Sequence, residues 1–146
     1  MFRISQYMEE IAHPTPLGPK RNPPGPVVIW NLIRRCNLTC KHCYSISADK
    51  DFPGELPTAE IYGVMDDLKR FRVPVLILSG GEPLLRPDIF DIAQRAKGLG
   101  FYVGLSSNGT LIDESNIRRI AETDFDYVGV SLDGIRATHD KFRRMQ

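Results

Sequence analysis

Val75-Leu76-Ile77-Leu78-Ser79-Gly80-Gly81-Glu82-Pro83 decides the fold. Pro74 opens the stretch, and four apolar residues follow without a break. A short continuous apolar run predicts a parallel strand covered on both faces. The glycine turn after it lets the backbone approach a ligand closely and exposes polar backbone groups to it. Working outward, the same rhythm repeats on both sides. Upstream, Thr58 is placed to cap a helix with Ile61, Val64, Met65, Leu68 and Phe71 on one face. Gly63 weakens that helix without vetoing it. Before it stands the β-rich run Val27-Val28-Ile29-Trp30-Asn31-Leu32. Downstream, Pro87 suits the first turn of a helix carrying Ile89, Ile92, Ala93 and Ala96, ended by Gly98 and Gly100.

The third strand is Phe101-Tyr102-Val103-Gly104-Leu105, running into Ser106-Ser107-Asn108-Gly109-Thr110. Asp113 is placed to cap a third helix, with Ile112 and Ile117 as a hydrophobic staple. Tyr127-Val128-Gly129-Val130 is the fourth strand, ending in Ser131-Leu132-Asp133-Gly134, and a basic helix starts near Thr138. Strand and helix alternate four times, which predicts an α/β fold with a parallel sheet. Each polar or glycine-rich signature comes directly after a strand. In a parallel sheet all those ends share one edge, where α/β folds place their sites.

The chain has 146 residues, about one domain. Its net charge of +1 makes no electrostatic case for nucleic acid or a membrane surface as partner. No apolar run approaches the roughly 20 residues of a membrane span, and no signal peptide opens the chain. Three clustered cysteines, an odd number, argue against a secreted disulfide framework, so the default is a cytoplasmic protein with reduced thiols. Residues 1–12 carry Phe2, Tyr7, Met8 and Ile11 as a weakly amphipathic helix. Six of the eleven prolines fall between Pro14 and Pro26, which predicts an extended connector. The organisation expected is a lead-in over 1–26 and a core over 27–146. The chain stops inside the last basic helix, so a piece of a longer enzyme is expected.

All three cysteines lie in Cys36-Asn37-Leu38-Thr39-Cys40-Lys41-His42-Cys43-Tyr44, spaced C-x3-C-x2-C. Thiolates are soft ligands that suit iron–sulfur clusters and zinc. A closed structural site wants four protein ligands. Three thiolates on a [4Fe-4S] cube leave one iron for an exogenous ligand. A zinc knuckle with His42 as fourth ligand is the competing reading, but C-x3-C-x-H-C is cramped for zinc.

The cysteine triplet, followed by Gly80-Gly81-Glu82-Pro83 after a strand, resembles the signature of the radical S-adenosylmethionine (SAM) superfamily. The resemblance runs from about Val27 to Asp133. It implies a partial (β/α)6 TIM-like barrel, truncated here after about four βα units. It also implies two cofactors, a [4Fe-4S] cluster held by Cys36, Cys40 and Cys43, and S-adenosylmethionine on the open iron. In that superfamily one electron from the cluster splits SAM, and the 5′-deoxyadenosyl radical takes a hydrogen atom from substrate. The implied SAM contacts are His42 and Tyr44 near the adenine, and Gly80, Gly81, Glu82 and Pro83 at the ammonium. Ser107, Asn108, Ser131 and Asp133 would meet the ribose and carboxylate. No side chain need be a general acid or base, because the cofactor carries the hard step. Arg34 and Arg35, just before the first cysteine, would offset the cluster's negative charge. Gly81→Val is expected to abolish the response to SAM while leaving the cluster's colour intact.

Longer stretches narrow the resemblance. Pro26 to Leu32, Arg34 to Ser45 and Val75 to Pro87 look like the haem d1 biosynthesis branch of the superfamily. That branch implies removal of two propionate side chains from 12,18-didecarboxysirohaem. Its partners would be this small tetrapyrrole substrate and an electron donor such as flavodoxin or ferredoxin. Radical SAM haem-synthesis decarboxylases and peptide-maturing enzymes share the same core and remain alternatives. A non-catalytic metal-binding module is the alternative of a different class.

Overall fold

The structure is a computed structural model that describes Met8, residues 11–13 and residues 25–145. Strands β1 (Val27–Ile33), β2 (Val75–Gly80), β3 (Tyr102–Ser107) and β4 (Tyr127–Val130) form one sheet in the order β1-β2-β3-β4. Every neighbouring pair is parallel. The connections contain α1 (Thr58–Arg70), α2 (Ile89–Gly98) and α3 (Ile117–Glu122), and α4 (Ala137–Arg143) follows β4. This is the alternating α/β architecture that the patterning predicts, laid out as a run of barrel units. The expected amphipathic helix over 1–12 and the proline connector fall almost wholly outside the described residues. Among the described residues no helix is long and apolar enough to cross a membrane.

The core lies between the sheet and its helices. Leu76, Leu78, Val103 and Leu105 from the strands are fully buried against Ile61, Met65, Ile92, Ala93 and Ala96 from the helices. Burying one such aliphatic side chain is worth roughly 1.5–3 kcal/mol, and strand alternation puts these residues on one face. The opposite face carries the row Ile29, Ile77, Gly104 and Tyr127. Ile77 is buried as well, so the uninterrupted apolar run of β2 is covered on both sides. Gly104 makes that possible, since a Cβ there would stand 2.5 Å from Ile77 Cδ1.

Helix boundaries depart from the sequence reading in three places. Pro57, not Thr58, is the N-cap of α1, and the Thr58 hydroxyl instead donates to Asp88 Oδ2. Pro87 does not start α2. The chain first makes a 3-10 turn over Pro83–Leu85, passes through an extended Arg86, and enters the helix at Ile89. A residue before proline is pushed out of the helical region, and Arg86 uses that extension to donate to Leu32 O from a buried position. Asp113 caps a turn rather than α3: its carboxylate accepts from Ser115 N, and Asn116 occupies the N-cap. Ile117 is about half exposed. Gly100 does terminate α2. It has φ +76°, donates to Lys97 O, and lets Phe101 donate to Ala96 O.

Candidate active site

Strand β1 delivers the cysteine loop to the carboxyl edge of the sheet, and the glycine turn after β2 clamps it there. Gly81 N donates to Ile33 O at 2.6 Å and Glu82 N donates to Arg35 O at 2.9 Å. The backbones are so close that a Cβ on Gly81 would lie 2.3 Å from Arg35 O. These glycines are therefore needed for contact within the chain, whatever else they approach. Two further bonds hold the loop. Cys36 N donates to Ala48 O at 3.1 Å, and Lys41 N donates to Phe142 O at 2.9 Å.

Cys36, Cys40 and Cys43 line one cavity of about 320 Å³ together with Gly80 and Gly81. Ser107, Asn108, Ser131, His42 and Tyr44 also face it, so most of the expected contact residues are brought together. All three thiols are free. Leu38 N donates to Cys36 Sγ at 3.4 Å and Asn108 Nδ2 reaches it at 3.7 Å, yet burial dominates and pushes the Cys36 pKa up. At Cys43 burial also works upward. Hydrogen bonding with Ser45 and Ser47 outweighs it and brings the thiol down to about 7. Tyr44 is mostly exposed and donates to Asn31 Oδ1 at 3.2 Å.

Glu82, Pro83 and Asp133 do not line the cavity. Glu82 is fully buried. Its carboxylate accepts from Ser107 Oγ at 2.9 Å, Asn108 N at 2.8 Å and Leu84 N at 3.1 Å. In this arrangement it ties the end of β3 to the glycine turn. Burial pushes its pKa up against those three hydrogen bonds. Asp133 accepts from Arg143 Nε at 2.5 Å and stands 3.5 Å from His42 Nε2. Arg34 and Arg35 are committed elsewhere. The Arg34 guanidinium lies 4.5 Å from the centre of the Phe52 ring, and Arg35 pairs with Asp49 and Asp51. Two contributors escaped the sequence reading. Asn37 accepts from Asn108 Nδ2 and donates to Thr110 Oγ1. Its place inside the cysteine loop was the available signal. The other is Arg143, a buried cation on the cavity wall, for which no local signal exists.

Two metal readings compete for this donor set. One zinc ion needs its ligands within about 2.3 Å of a single point. Among the described residues no three His, Cys, Asp or Glu side chains are gathered that way. His42 Nε2 stands 3.5 Å from Asp133, and its ring packs against Phe142. Three free thiols lining one cavity fit a polynuclear cluster with an incomplete protein ligand set.

A family model for the radical SAM superfamily matches residues 30–146. The chain belongs to the radical SAM superfamily. Members work with a [4Fe-4S] cluster and S-adenosylmethionine. Among curated radical SAM relatives, a "Pre-heme d1 synthase" of Dinoroseobacter shibae is 58% identical over 98% of this chain and 35% of its own length. An "Fe-coproporphyrin III synthase" of Methanosarcina barkeri is 50% identical over 83% of this chain and 30% of its own length. The chain thus spans about a third of the length of these relatives. The fold is similar to part of Streptococcus suis SuiB bound to S-adenosylmethionine, with a TM-score of 0.67 and 21% identity over 82% of this chain and 28% of that one.

Proposed function

We propose that this chain is the cluster- and SAM-binding core of a radical SAM enzyme of haem d1 biosynthesis, with 1–26 as a lead-in and 27–146 as the first barrel units. The observation that carries the reading is the single cavity shared by three free cysteines, the glycine turn and the ends of β3 and β4. Cys36, Cys40 and Cys43 are the cluster ligands. When bound, the cluster and SAM supply one-electron, hydrogen-abstracting chemistry. The chain's own residues bind and orient. Backbone groups of Gly80 and Gly81 offer acceptors to an ammonium group, and Ser107, Asn108 and Ser131 offer short hydrogen-bonding groups to hydroxyl and carboxylate. His42 and Tyr44 border the mouth on the loop side. Glu82, Pro83 and Asp133 act from behind the cavity wall, Glu82 and Asp133 by fixing residues that face it.

The substrate proposed is 12,18-didecarboxysirohaem, losing two propionate side chains, with flavodoxin or ferredoxin as electron donor. Its support is the 58% identity to a pre-haem d1 synthase over nearly the whole chain. The 50% identity to an Fe-coproporphyrin III synthase favours a second reading, formation of Fe-coproporphyrin III. Anaerobic reconstitution with iron and sulfide tests the core reading. A brown protein whose reduced EPR signal changes on adding SAM is expected, and serine at Cys36, Cys40 or Cys43 should remove the colour. A colourless protein holding one zinc refutes the reading. Incubation with didecarboxysirohaem separates the two reactions by product mass: loss of both propionates supports the first, and Fe-coproporphyrin III the second.

A further inference from the structure

We propose that Arg143 tunes the cluster by donating a hydrogen bond to the sulfur of Cys40. The inference rests on the cluster reading above. Arg143 Nη1 lies 3.8 Å from Cys40 Sγ, across 103 residues of sequence. The guanidinium is buried, and it lines the cavity that holds the three cysteines. A buried guanidinium is costly unless it is paired. Asp133 supplies the pair through Nε at 2.5 Å and so fixes the fork with Nη1 toward the sulfur. The end of α4 is held against the same loop by Lys41 N donating to Phe142 O at 2.9 Å, and by the Phe142 ring packing 5.7 Å from His42. Arginine rather than lysine suits the place, because its planar fork can satisfy carboxylate and sulfur together.

The sequence placed the compensating charge on Arg34 and Arg35, and the structure directs both toward the 45–55 segment. Among the described residues, Arg143 is a cation that faces a cysteine. Hydrogen bonds to the sulfurs of an iron–sulfur cluster favour its reduced, more negative state and raise its potential. Asp133 cancels most of the net charge, so the effect comes from the directed N–H group. Arg143 is thus a positioning and tuning residue, acting through Cys40.

The test is a potentiometric titration of the reconstituted cluster in the wild type, Arg143→Met, Arg143→Lys and Lys141→Gln. Lys141→Gln removes an exposed positive charge from the same helix and is the control. In Arg143→Met the reduction equilibrium should fall about tenfold, which is about 59 mV for one electron. Arg143→Lys should recover part of the loss and Lys141→Gln should show none. Far-UV circular dichroism checks folding, and if the methionine variant does not fold, the lysine variant must still show a lowered potential. An unchanged midpoint in every folded Arg143 variant overturns the inference while the cluster reading stands. So does a loss of SAM affinity with the midpoint unmoved, which would make Arg143 a SAM ligand. A wild-type protein that forms no cluster overturns both.

Discussion

Replacing Gly81 by alanine probes the contact on which the site is built. The added Cβ would stand 2.3 Å from Arg35 O and 2.6 Å from Arg34 O, where ordinary contact begins at 3.4 Å. The Arg34–Arg35 backbone must therefore retreat by about 1 Å. That movement opens Gly81 N to Ile33 O and Glu82 N to Arg35 O, the two bonds that clamp β1's exit to the turn. Overpacking costs about 1–3 kcal/mol and each lost bond about 0.5–1.5 kcal/mol. The expected destabilisation is about 2–6 kcal/mol, a large share of the roughly 5–15 kcal/mol that holds a domain together. Gly63→Ala is the matched control. It lies inside α1 with nothing within 4 Å of the new methyl, and should stabilise by about 0.5–1 kcal/mol. Urea unfolding of the apo protein measures both, and iron content after reconstitution measures the consequence for Cys36, the next residue after Arg35. Gly81→Val should lose the cluster along with the SAM response, which reverses the sequence-based expectation that colour would survive. Wild-type stability and full iron loading in Gly81→Ala would refute the reasoning.

Glu82→Ala leaves one buried donor, on Ser107, and two half-buried donors, on Leu84 and Asn108, without an acceptor. At about 1–3 kcal/mol each, the variant should unfold well below the wild type in urea. Glu82→Gln should be milder. Because burial raises the Glu82 pKa above 4.5, the folded state binds its proton more tightly than the unfolded state. Wild-type stability contributed here thus falls as pH rises above 4.5, and the gap to Glu82→Gln should narrow over that range; a gap that widens would contradict the burial argument. Asp126 shows the opposite sign. Its carboxylate accepts from Val103 N at 2.7 Å and from Lys97 Nζ at 3.0 Å, and the bond from Val103 chiefly lowers its pKa. Its contribution is complete above the unfolded value of 3.8 and disappears as pH falls through the lower folded value. Asp126→Ala should cost about 1 kcal/mol at neutral pH, with the difference from wild type vanishing in acid; a pH-independent difference would show that the carboxylate's charge plays no part.

Within the described residues, the strands, their parallel order and the edge that carries the site were all legible in the sequence. The reason is that hydrophobic periodicity and glycine punctuation are local, and a parallel sheet sends every strand end to the same side. The cysteine spacing, read with the glycine turn, likewise announced the chemistry. The capping roles given to Thr58 and Asp113 and the helix start given to Pro87 were misplaced because local capping preferences yield to tertiary partners. Thr58 is drawn to Asp88, and the extended Arg86 is anchored by Leu32 O. Three assignments waited for the tertiary structure. The sequence marks Glu82 as part of a motif, and only packing shows it buried behind the wall with three donors of its own. Arg34 and Arg35 stand next to Cys36 in the chain and are turned away from the cavity by their partners in the 45–55 segment. Arg143 stands 103 residues from Cys40 and reaches its sulfur. Spacing along a chain records which residue types are supplied to an edge. Which of them meet depends on how the loops from different strands close over one another, and that is decided by contacts no local pattern encodes.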